Sequence, residues 1–176
     1  MTAPEFSRPV RIDTLGEAPR ALSVEAEEGE RTALARRFGL IAIDRLAAEL
    51  TLNRAGADIL MRGTLSADVV QACVATAEPV PATVEAPFEI IFRPQPDPSG
   101  PDAEIELDES ELDVVFYEGG AVDAGEAVAE TLSLSLDPWP RAPGAEEKLK
   151  AAGVIGEEEA GPFSALAGLR DKLKKS

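Results

Sequence analysis

Leu46-Ala47-Ala48-Glu49-Leu50-Thr51-Leu52-Asn53-Arg54-Ala55-Gly56-Ala57-Asp58-Ile59-Leu60-Met61-Arg62-Gly63-Thr64-Leu65-Ser66 decides the fold class. Leu46, Ala48, Leu50 and Leu52 alternate with Ala47, Glu49, Thr51 and Asn53. That period of two belongs to a strand buried on one face. The turn residues of 53–58 then reverse the chain. Ile59, Met61, Gly63 and Leu65 fall on one face of the next strand, with Arg62, Thr64 and Ser66 on the other. The segment 69–76 is apolar on both faces and is expected to form a central strand. Pro79 and Pro81 interrupt pairing. After them Val84, Ala86, Phe88, Ile90 and Phe92 alternate with Thr83, Glu85, Pro87 and Glu89. The pattern is an antiparallel meander with one solvated side, and Pro87 marks an edge or a bulge.

Upstream, short strands are expected at 6–11 and 22–26. Between them and the meander lies Glu27-Glu28-Gly29-Glu30-Arg31-Thr32-Ala33-Leu34-Ala35-Arg36-Arg37-Phe38-Gly39. Leu34 and Phe38 are spaced i, i+4, with acids in front, arginines in the last turn and glycine behind. These are the marks of a helix ending at Phe38. Downstream, residues 94–103 are rich in proline and form a flexible loop. Ile105 and Leu107 alternate with Glu104, Glu106 and Asp108, as in a short strand with a charged outer face, and 114–117 extend a further strand stopped by Gly119-Gly120. Asp123 and Glu126 have capping-box spacing before a helix carrying Ala127, Val128, Thr131 and Leu132, with Leu134 and Leu136 broadening its buried face. Asp137-Pro138 ends that helix. A brief helix is expected at 145–152, and Phe163, Leu166 and Leu173 follow helical spacing near the end of the chain.

The chain has 176 residues, 33 acidic and 17 basic side chains, no histidine and a formal net charge of -16. Without histidine there is no Ser-His-Asp or Cys-His arrangement, and a lone Cys73 builds neither a disulfide nor a thiolate metal cluster. Neither a GxxxxGK[ST] loop nor a GxGxxG turn is present. No catalytic, cofactor or metal residues are therefore assigned. The N-terminal sequence lacks a basic region followed by an apolar run, so a cytoplasmic location is expected. Between Pro94 and Pro140 stand 13 acidic residues and no lysine or arginine. Such a surface repels polyanions and favours basic partners.

Four segments stand out in order and spacing: Ala35-Arg36-Arg37-Phe38-Gly39-Leu40-Ile41-Ala42-Ile43-Asp44-Arg45-Leu46, the run 63–76 followed by Glu78-Pro79-Val80-Pro81, the acidic strand leading to 123–136 and Pro138-Trp139-Pro140, and Gly161-Pro162-Phe163-Ser164-Ala165-Leu166. Together they resemble the large ribosomal RNA subunit accumulation (YceD) family. The resemblance implies a non-catalytic role in synthesis, processing or accumulation of large-subunit ribosomal RNA. Some relatives carry extra cysteines near the position of Cys73 and after the proline motif, which suggests a metal cluster; this chain has Cys73 alone.

The expected fold is α+β, an antiparallel β-sheet or partly closed β-barrel flanked by two helices, with a flexible acidic loop and a C-terminal tail. Residues 1–140 are expected to form one domain, and 141–176 a mobile tail with a short amphipathic helix. The expected partner is a basic protein, such as a ribosomal protein or assembly factor. It would meet Asp102, Glu104, Glu106, Asp108, Glu109, Glu111, Asp113 and Glu118, with Phe163 and Leu166 as apolar anchors. The alternative is direct RNA binding by Arg31, Arg36, Arg37 and Arg45 gathered on one side. Neither a membrane nor a cofactor is expected.

Overall fold

Two long strands, β3 (Ala42–Ala55) and β4 (Asp58–Ala72), pair as a hairpin that organises the computed structural model, which describes residues 4–96 and 114–153. Gly56 makes the reversal at φ +67, a backbone angle that glycine adopts without a Cβ penalty. Leu52 lies opposite Met61, Leu50 opposite Gly63, Ala48 opposite Leu65 and Leu46 opposite Ala67. Apart from Gly63, these side chains are all buried, as the alternation requires. Gly63 has a packing role. A Cβ there would stand 2.5 Å from the Glu49 carbonyl oxygen and 2.7 Å from Leu50 Cβ. A register shift between Ile43 and Arg45 interrupts the ladder at Asp44.

The chain divides into two compact units, one of Met1–Gln71 with Pro81–Pro138 and one of Ala72–Val80 with Trp139–Ser176. In the first, β2 (Arg20–Glu25), β3, β4, β5 (Pro79–Pro94) and β6 (Val114–Tyr117) form a five-stranded sheet in that order. A second sheet pairs β1 (Pro9–Arg11) with β7 (Ala121–Asp123). The fold class is α+β, built as two sheets and not as a closed barrel. Three further points correct the sequence expectation. β4 is one continuous central strand through Ala72, so the apolar segment expected as a separate strand at 69–76 is its last part followed by a turn. β6 pairs parallel to β5, Ile91 with Val114 through Pro94 with Tyr117. A parallel neighbour needs a crossover, and the long connection after β5 supplies it.

Leu134 is the third correction, because it is 81% exposed. Helix α2 (Ala124–Ser135) buries Ala124, Ala127, Val128 and Leu132, and two residues past Leu132 the helix has turned by about 200°. The Asp123 carboxylate caps α2, accepting from Gly125 N–H at 3.0 Å and Glu126 N–H at 3.1 Å. Helix α1 (Glu28–Phe38) ends as expected on Gly39 at φ +68 and buries Leu34 and Ala35. Pro87 lies in the part of β5 that β6 does not cover. Gln95 N–H donates to the Tyr117 carbonyl at 3.0 Å, so odd-numbered main-chain groups of β5 face the β6 side. Pro81 and Pro87 share that parity, so neither has an N–H to offer on that side.

The second unit has its own small core of Cys73, Ala142 and Ala145, with Ala75 and Val80 against it. Its helix is α3 (Ala145–Ala151), started by Gly144 at φ +75. Val74 N–H donates to the Pro140 carbonyl at 2.9 Å, and Cys73 N–H to the Glu78 carbonyl at 2.8 Å. Lys148 and Glu78 form an ion pair. The expected strand around Ile105 and Leu107 and the expected helix around Phe163 lie outside the described residues.

Candidate functional site

Of the residues named for partner binding, Glu118 is described, and it is exposed at the end of β6. Asp102, Glu104, Glu106, Asp108, Glu109, Glu111, Asp113, Phe163 and Leu166 lie outside the described residues. Glu118 lines a cavity of about 230 Å³ between β6, β7 and α2. Phe92, Phe116 and Tyr117 give the cavity an aromatic wall, and Glu126 and Glu130 project from α2. Glu126 is held by Arg37, with contacts of 2.7 and 3.1 Å, and Arg37 also reaches Glu5 at 3.1 Å. These contacts raise the Arg37 guanidinium still further above its ordinary range. Burial pushes the Glu130 carboxyl up, and the neighbouring Glu126 carboxylate adds to that shift. Neither Glu118 nor Glu130 has an ion pair among the described residues. Sequence reasoning passed over Glu130. Its spacing of i+4 from Glu126 on one helix was the available signal.

Of the four arginines of the RNA reading, Arg31 and Arg36 share a groove, while Arg37 and Arg45 have other side-chain partners. Arg31 and Arg36 line a groove of about 540 Å³ between α1 and the start of β3, together with Glu28 and Asp44. Arg31 donates to the Ala26 carbonyl at 2.7 Å. Arg37 turns towards Glu5 and Glu126, and Arg45 donates to the Ser66 hydroxyl at 3.0 Å.

Cys73 is 3% exposed and stands just past the end of β4, immediately before the turn at 74–76. Ala142 N–H donates to its sulfur at 3.3 Å. That bond, with help from the Thr76 side chain, lowers the thiol to about 7. The segment after Pro140 thus meets the Cys73 loop, the two places where the resemblance puts additional cysteines in relatives. Only one sulfur is supplied here. Among the described residues no three His, Cys, Asp or Glu side chains are grouped to hold a metal.

Fold and surface together define a small α+β protein whose distinctive chemistry lies in charged concavities where its sheets end. The chain belongs to the family described as large ribosomal RNA subunit accumulation protein YceD, whose model matches residues 61–170. The family is named for an accumulation role. No match was found among curated proteins or among solved structures. No helix of the described residues is long and apolar enough to cross a membrane.

Proposed function

We propose that this protein is a non-catalytic factor in the synthesis, processing or accumulation of large-subunit ribosomal RNA, acting from the cytoplasm through its acidic surface on a basic protein partner. Family membership supports the process. The observation that carries the mechanism is the cavity at β6 and α2, where Glu118 and Glu130, neither in an ion pair among the described residues, stand beside Phe92, Phe116 and Tyr117. A lysine or arginine side chain entering it meets carboxylate charge and aromatic faces together. In the sequence the acidic run 102–113 immediately precedes β6. A ribosomal protein or another assembly factor has the clustered lysines and arginines that suit it.

The test is capture of purified ribosomal proteins by the full chain and by the variant carrying Glu118→Gln and Glu130→Gln. The double substitution is expected to weaken capture about tenfold, the scale of one or two charge-assisted contacts. Capture unchanged by the substitutions, or tight salt-sensitive binding of naked ribosomal RNA without any protein partner, would overturn the proposal.

A further inference from the structure

The terminal strands of the two sheets are β1 and β7 in the small one and β2 and β6 in the large one. Of these, β1 and β2 border a common groove. Ile12 N–H donates to the Gly120 carbonyl at 3.0 Å and Ala124 N–H to the Arg8 carbonyl at 3.1 Å. Even-numbered main-chain groups of the first strand therefore face β7, and the Pro9 carbonyl and Arg11 N–H face the opposite side. In β2, Ala26 N–H donates to the Leu46 carbonyl at 2.9 Å. By the same parity the main-chain groups of Ala21 and Ser23 face away from β3. No partner among the described residues engages them or Arg11 N–H.

A groove of about 420 Å³ lies between β1 and β2. Val10 and Val24 are buried and Leu22 is half-buried, giving an aliphatic floor. Arg8, Arg11 and Arg20 line the groove, and no Asp or Glu lines it among the described residues. In a chain with 33 acidic and 17 basic side chains that is a local concentration of arginine, with Arg8 paired to Glu30 and Arg11 to Asp13. Arg20 donates to the Thr14 hydroxyl at 3.2 Å and has no acidic partner among the described residues. Arg8 reaches across from Glu30 to the Glu25 carbonyl, at 3.0 Å, and closes one end.

We propose that this groove is a docking site for an extended acidic segment of a partner protein, which adds as a strand between the two sheets. Main-chain bonds to Pro9, Arg11, Ala21 and Ser23 hold the guest backbone. Alternate side chains divide between the apolar floor at Leu22 and the arginines at the rim. An RNA strand fits less well, because the floor lacks an aromatic stacking surface and the Pro9 carbonyl repels phosphate. The site is separate from the acidic cavity and stands whether or not a basic partner binds there.

The test titrates a labelled synthetic peptide of alternating glutamate and valine into the full chain, beside a lysine–valine peptide and a single-stranded RNA oligonucleotide. In the free protein, amide exchange should be fast at Arg11, Ala21 and Ser23 and slow at Leu22 and Val24. The glutamate–valine peptide should bind and slow those three amides. Ser23→Pro removes an N–H that faces away from β3 and the exposed hydroxyl bond to Glu49, so the main-chain ladder to β3 is kept and binding falls about tenfold. Arg20→Glu should weaken binding by a similar factor with no change to the backbone. Failure of the peptide to bind, equal binding of the lysine–valine peptide, affinity unchanged in both variants, or RNA displacing the peptide would each overturn the proposal.

Discussion

The acidic cavity at β6 and α2 and the arginine groove at β1 and β2 sit in one unit of one strongly acidic chain, yet present opposite chemistry. The cavity is small, aromatic and edged by Glu118, Glu126 and Glu130. The groove is larger, aliphatic and edged by Arg8, Arg11 and Arg20. Each is partly neutralised from within. Arg37 holds Glu126 on one side, while Glu30 holds Arg8 and Asp13 holds Arg11 on the other. Net charge sets the average potential and the solubility. Recognition is decided by the side chains within a screening length of about 8 Å at physiological salt. A total of -16 therefore does not settle the sign of any particular surface.

The strongest way to break the comparison is to remove the scaffold that both regions share. Gly63→Val places side-chain atoms where a Cβ alone would meet Glu49 main chain and Leu50 at under 3 Å. Neither neighbour is the far end of a flexible chain, so β3 and β4 must separate. We expect a loss of about 3 kcal/mol in urea unfolding, with both binding activities lost together. A variant as stable as the parent would show that the hairpin does not carry the two sites.

Asp123→Ala comes next, because Asp123 stands between the two regions. Its carboxylate caps α2 beside the acidic cavity, accepts from Arg8 N–H at 2.7 Å beside the groove, and takes the Ser7 hydroxyl. Removing it leaves several donors without a partner. A cost of about 2 kcal/mol is expected, read as a lower thermal midpoint with reduced helical signal. A change below about 0.5 kcal/mol would mean that the start of α2 is fixed by packing alone.

The alternation in β3, β4 and β5 was readable because burial on one face imposes a period of two that side-chain identity records. The ends of α1 and α2 were readable because capping has its own residue types, Gly39 and Asp123. The parallel pairing of β6 was not. Four residues hold too little periodicity, and direction is set by a connection whose path composition does not encode. Leu134 misled because an apolar side chain beside a buried face looks like part of it until the 100° step is counted. For the sites, Glu118 was named and Glu130 was not, since the desolvation that marks Glu130 exists only in the folded chain. The groove between β1 and β2 was invisible for a different reason. Its donors and acceptors are main-chain groups that every residue but proline carries, so only strand parity reveals which ones are left over.

The smallest expected effect sharpens the comparison by altering one side alone. Glu30→Gln removes the charge that holds Arg8, whose contacts with Glu30 are 2.7 and 2.8 Å. The glutamine oxygen still accepts from Glu27 N–H, the bond that Glu30 makes at 2.8 Å at the start of α1, so the helix cap survives. The Arg8 side chain holds the Glu30 carboxyl below its ordinary value, and Glu27 N–H adds to this. The stability from this pair is therefore complete above the unfolded carboxyl range near 4.5 and is lost as pH falls through the lower folded value. Parent and variant should differ by about 1 kcal/mol at neutral pH and converge in acid. At neutral pH the freed Arg8 guanidinium raises the positive potential of the groove, so the glutamate–valine peptide should bind a few-fold tighter. Capture of basic proteins should stay unchanged, because Glu30 is not a lining residue of the acidic cavity. Weaker binding of the acidic peptide in this variant would show that the pair serves to orient Arg8 and not to restrain its charge.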